Sequence, residues 1–158
     1  MYTKVHIQGM VLDPITERPI LVLKDEANRV LPIWIGHFEA NAIALQLEHI
    51  AVPRPMTHDL VCGILSSMGT PVKEVLICDL KDNTYFADII LLSQGQELHV
   101  DARPSDAVAV AVRSGAPILV EESLFDRDLD GEEAAGSQEQ LRRWLETLTP
   151  EEMGRYEM

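Results

Sequence analysis

The chain has 158 residues, 46% hydrophobic and 25% charged, a composition suited to one globular domain with its own core and a short appendage. Its net charge of −13 excludes broad electrostatic affinity for nucleic acid, because phosphate contacts depend on Lys and Arg. The apolar runs fall well short of the roughly 18 residues of a membrane helix, and no basic-then-apolar leader opens the chain.

Val5 to Leu12 alternates apolar and polar residues and predicts a strand. Turn residues 13–19 follow, then strands at Ile20 to Leu23 and Val30 to Ile35, so the opening is an antiparallel meander. Pro32 lacks a backbone donor and belongs near a strand start or on an edge. Trp34 reads as a core or interface residue. After Gly36, the spacing of Ala40, Ile43, Ala44 and Leu47 predicts a helix from Phe38 to about Glu48 or His49. Residues 50–56 hold two prolines and form a loop. Thr57 is the expected N-cap of a second helix striped by Leu60, Ile64, Leu65 and Met68, with Gly69 as its C-cap.

Strands at Val72 to Leu80, Tyr85 to Leu92 and Glu97 to Asp101 follow, joined by turns at 81–84 and 94–96. Ser105 is the expected cap of a third helix lined by Ala107, Val108, Ala111 and Val112. That helix ends at Gly115, with Pro117 beyond, and Ile118 to Val120 is a last short strand. Three helices among short strands make an α+β fold with a mixed or antiparallel sheet. Residues 1–125 form the domain and carry nine Lys+Arg against sixteen Asp+Glu. Residues 126–137 read as an acidic linker. Residues 138–158 read as a helical tail, with Leu141, Trp144, Leu145 and Leu148 on one face, suited to docking a protein partner.

Two similar corners interrupt this ordinary core. Asp101-Ala102-Arg103-Pro104-Ser105-Asp106 joins a strand to a helix, and Arg54-Pro55-Met56-Thr57-His58-Asp59 precedes another. In both, the helix ends in Gly, and Pro comes two positions later before a strand. Carboxylates and imidazole at adjoining element ends suit a divalent cation such as Mg²⁺ or Mn²⁺, which needs few protein ligands and keeps several waters. Asp101 and Asp106, with Glu39 from the start of the first helix, are the expected metal ligands. Arg54 and Arg103 are the expected phosphate contacts, with Ser105 beside them. His58 and Asp59, with Arg103 and Asp106, are the candidate catalytic groups. Three helix starts facing one cleft would attract a phosphate.

Structural roles compete for the same residues. Thr57 and Ser105 are ordinary caps, and Asp59 and Asp106 complement helix dipoles. Arg103 can pair with Asp101 or Asp106. His6, His37, His49 and His99 have no ligand spacing, and no phosphate loop, dinucleotide fingerprint or nucleophile elbow occurs. Cys62 and Cys78 read as core thiols of a cytoplasmic protein.

At these residues the chain resembles the bifunctional nuclease family of bacteria and plants. The resemblance rests on Leu31-Pro32-Ile33-Trp34-Ile35-Gly36 with Glu39-Ala40, on Arg54-Pro55 with Thr57-His58-Asp59-Leu60, and on Asp101 to Ala107, in that order over about residues 5–125. It implies a compact α+β domain that hydrolyses DNA and RNA with a divalent metal. By matching position, the polar cluster is Glu39, His58, Asp59, Asp101, Arg103, Ser105 and Asp106. The expected function is therefore a metal-assisted nuclease; the alternative is a non-catalytic regulatory module that docks a partner. Nucleic acid is the expected substrate and a membrane is not an expected partner. Open sheet edges make a homo-oligomer plausible.

Overall fold

The computed structural model of the chain describes residues 1–126 together with residues 145 and 146. Its elements run β1 (Tyr2–Leu12), β2 (Pro19–Asp25), β3 (Val30–Trp34), α1 (His37–Leu47), α2 (Thr57–Ser67), β4 (Val72–Lys81), β5 (Thr84–Ser93), β6 (Gln96–Ala102), α3 (Pro104–Ser114) and β7 (Ile118–Glu121). A short 3₁₀ turn, Glu122–Asp126, follows. The fold is α+β, as expected: one seven-stranded mixed sheet ordered β3-β2-β1-β7-β4-β5-β6.

The opening meander is antiparallel throughout, and Pro32 sits within β3, an edge strand whose missing donor costs no ladder bond on the open side. The β4–β5 hairpin turns at Asp82 and Asn83, both in the left-handed region, a geometry that matches the twist of the strands it joins. β7 enters the centre of the sheet, antiparallel to β1 and parallel to β4. That single parallel pair follows from the repeated corner. Each of α2 and α3 is followed by a left-handed glycine, Gly69 or Gly115, and by Pro71 or Pro117, so the two helices feed β4 and β7 in the same direction. The prolines' carbonyls also bind the neighbouring strands: Leu92 N–H donates to Pro71 O and Val75 N–H to Pro117 O.

Strand alternation separates two apolar layers. On the helix side, Leu21, Leu23, Val75, Ile77, Ala87 and Ile89 pack against Ala40, Ile43, Ala107, Val108 and Ala111. On the opposite side, Val11, Ile20, Val22 and Val30 enclose Leu145. The expected acidic linker and the rest of the helical tail lie outside the described residues. Leu145 and Glu146 are helical, and Leu145 is buried against the chain's own sheet. Among the described residues no helix is long and apolar enough to cross a membrane.

Two capping expectations are corrected. Thr57 and Ser105 lie inside their helices, and the N-cap positions belong to Met56 and Arg103. For α2 the first turn is closed from within, because Asp59 Oδ2 accepts the Met56 N–H at 2.9 Å. For α3 the next residue is Pro104, whose fixed φ and missing donor suit a first helical position. The α2 stripe also faces the other way from a core stripe. Cys62 and Leu65 pack towards the core, while Leu60, Ile64 and Met68 are exposed.

Candidate active site

The three helix starts converge. Asp106, in the first turn of α3, accepts from two directions. Its Oδ1 lies 2.8 Å from His58 Nε2, in the first turn of α2. Its Oδ2 accepts from Arg103 Nε at 2.9 Å and lies 2.9 Å from Arg103 Nη2. The same Nη2 lies 2.8 Å from Glu39 Oε1, in the first turn of α1. Asp106 thus joins an imidazole to a guanidinium, and Glu39 holds the guanidinium from the far side. The hydrogen bond to Asp106 and the charges of both carboxylates raise the Arg103 pKa further, so this cation is permanent. The Arg103 side chain is 65% exposed, whereas that of His58 is only 13% exposed. The cation faces solvent and the imidazole is sheltered behind it.

Gly36 makes room for this arrangement. A Cβ built on it would lie 2.2 Å from Glu39 Oε2, so the glycine lets Glu39 fold back across the start of α1. Its backbone φ of −77° is open to any residue, and the requirement is therefore one of space.

Of the residues expected at the site, Glu39, His58, Arg103 and Asp106 come together. Asp101 does not. In β6 it is paired with Asp88, while its neighbour Ala102 pairs with the core residue Ala87. Alternation sends the Asp101 side chain to the helix-free face of the sheet. Asp59 is also engaged elsewhere: its Oδ1 accepts from Arg113 Nε at 2.8 Å. Met56 N–H and Arg113 together hold the Asp59 carboxyl below the ordinary carboxylate range. Arg54 is exposed and stands on a groove of about 370 Å³ shared with Ile50, Pro53, Asp59 and Arg113. Ser105, expected to bind substrate, is buried at 5% exposure and cannot be reached from solution.

Arg113 is the important residue that the sequence reading missed. Its side chain is 6% exposed. Besides Asp59 it donates to the carbonyls of Ala109 at 3.0 Å and Ala42 at 2.8 Å. The available signal was a lone cation in the last turn of an otherwise apolar helix, where it complements the dipole.

The expected metal ligands do not form a set. Asp101 is on the other face, Glu39 and Asp106 converge on one guanidinium nitrogen, and Asp59 is matched by Arg113. Among the described residues no three His, Cys, Asp or Glu side chains stand together as a metal-binding group. The Arg103 guanidinium stands between the Glu39 and Asp106 carboxylates.

The fold and this cluster define a small α+β domain with an arginine-centred polar site at converging helix starts. Residues 21–129 match the family model described as the bifunctional nuclease domain. The chain belongs to that family. It is 37% identical over 161 residues to an uncharacterized protein of Mycobacterium tuberculosis, covering 94% of this chain and 96% of that one. It is 30% identical over 126 residues to bifunctional nuclease 2 of Oryza sativa subsp. japonica and, over the same length, to bifunctional nuclease 1 of Arabidopsis thaliana. Each alignment covers 77% of this chain and 39% of the plant protein.

Proposed function

We propose that the chain hydrolyses phosphodiester bonds in DNA, RNA or both. The observation that carries this reading is Asp106 holding His58 and Arg103 on its two oxygens, 2.8 and 2.9 Å away. An imidazole and a guanidinium are thereby held on one carboxylate, which supports reading them as a general base and a phosphate-binding cation. Family membership and the name of the plant relatives support the same chemistry. In the proposed reaction a water oxygen attacks phosphorus and the ester oxygen departs. His58 takes the water's proton, and Asp106 orients its ring and stabilises the imidazolium, as in other acid-oriented histidines. Arg103 binds the phosphoryl oxygens and carries their developing charge. Glu39 is a positioning residue that keeps Arg103 in place. Arg54, exposed just ahead of α2, supplies a second phosphate contact. Asp59 serves the helix packing through Arg113. The exposed cations answer the acidity of the chain, because substrate is held locally and not by a basic surface. Cys62 and Cys78 are free thiols, and we place the protein in the cytoplasm.

One observation favours the competing reading of a non-catalytic regulatory module: each carboxylate of the cluster is already matched by a cation. One experiment decides between them. Purified wild type, His58→Ala and Arg103→Gln are assayed on labelled single-stranded DNA, double-stranded DNA and RNA, with Mg²⁺, Mn²⁺ or EDTA. Loss of about 100-fold or more is expected in His58→Ala, the usual scale of a general base. Activity surviving EDTA is expected from a site whose cation is Arg103. Equal cleavage by wild type and both variants would mark a contaminant and leave the regulatory reading standing.

A further inference from the structure

The apolar stripe of α2 has no partner within the described fold. Leu60, Ile64 and Met68 recur every fourth residue, with Val61 beside them, so they share one side of the helix. They are 56%, 50%, 71% and, for Val61, 37% exposed. α3 packs between α1 and α2, with α1 reaching β2 and α3 lying over β4 and β5. α2 therefore stands on the β6 side of the domain. There, Leu98 and Val100 pair with Leu91 and Ile89 of the helix-side core, which puts them on the same face as α2. They too are open, at 45% and 44% exposure. β6 is the edge of the sheet, so its outer backbone groups are unpaired by any described strand.

We infer that this shelf, the outer stripe of α2 with the helix-side face of β6, is where a second copy of the chain packs, shelf to shelf. Three observations select that occupant. Six large apolar residues, each between 37% and 71% exposed, lie on this one side of the domain, and an apolar surface of that kind is what a standard interface of roughly 800 Å² per partner is built from. The shelf is also free of unmatched charge. Asp59, the one carboxylate of α2, is held by Arg113, and Glu97 and Asp101 alternate onto the opposite face of β6. For a molecule of net charge −13, a like-charged copy approaches most easily on such a neutral face. The third observation concerns the tail: its anchor Leu145 is buried on the other side of the sheet, so that anchor does not cover the shelf. A surface that meets its own copy across a two-fold axis needs only to be self-complementary, as a flat apolar shelf with an open strand edge is.

The test is sedimentation velocity on the full chain at micromolar concentration. Wild type is expected at the mass of two chains. Ile64→Glu and, independently, Leu98→Glu are expected at the mass of one chain with unchanged circular dichroism. Ile15→Glu, exposed in the β1–β2 turn, is expected to leave the pair intact. A one-chain mass for wild type overturns the inference. So does a two-chain mass that persists in both shelf variants, or one that Ile15→Glu also abolishes.

Discussion

Asp106 sits between two groups of different chemistry, and its value lies in holding both. Its contacts were partly legible in the sequence, because Glu39, His58 and Asp106 each fall in the first turn of a helix whose start could be read. Asp101 looked equivalent to Asp106 by composition and spacing. It differs because it lies within a strand, where one position decides the face; the pairing that fixes that parity, Ala102 with Ala87, is a long-range contact. Gly36 gives a direct check on Glu39. Gly36→Ala leaves the backbone unstrained but drives its Cβ into the Glu39 carboxylate, so that side chain must shift from the position in which it meets Arg103. Hydrolysis should fall about tenfold through misplacement of the cation, with the unfolding midpoint in urea nearly unchanged. Unaltered kinetics would show that Glu39 does not position Arg103.

At the scale of elements, Arg113 ties the helices together. It projects from α3, pairs with Asp59 of α2 and donates to Ala42 of α1. The helices themselves followed from apolar spacing, but this tie did not, because it depends on the order in which they pack. Its energetics have a pH signature. The folded state depresses the Asp59 pKa. Its stabilisation is therefore complete above the unfolded value, near pH 4, and is lost as pH falls through the lower folded value. Asp59→Asn should cost about 2 kcal/mol at neutral pH, the scale of a hydrogen bond to a charged group. Urea titrations of both proteins should converge as the pH drops below about 4. A difference that stays constant into acid would separate Asp59 from this tie. The same packing order explains the α2 stripe: periodicity revealed a helix with an apolar side, while the placement of α2 outside α3 turned that side outward.

At the scale of the molecule, the mixed sheet results from two helix–glycine–proline corners that deliver β4 and β7 side by side and parallel. The same architecture brings three helix starts together. The corners were visible in the sequence as a repeated pattern; that they would meet, with the start of α1 as the third member, was visible only as an expectation. The acidity of the whole chain works against nucleic acid, so the proposed activity requires binding through a few local cations, of which Arg103 shares the Asp106 carboxylate with His58. The most direct measurement is the initial rate at which wild type and Asp106→Asn cleave the same labelled oligonucleotide. The substitution keeps size and shape but loses the charge that holds both His58 and Arg103. A fall of about 100-fold or more is expected, with a cooperative unfolding transition retained. Equal rates from the two proteins would contradict the assignment of this cluster as the active site.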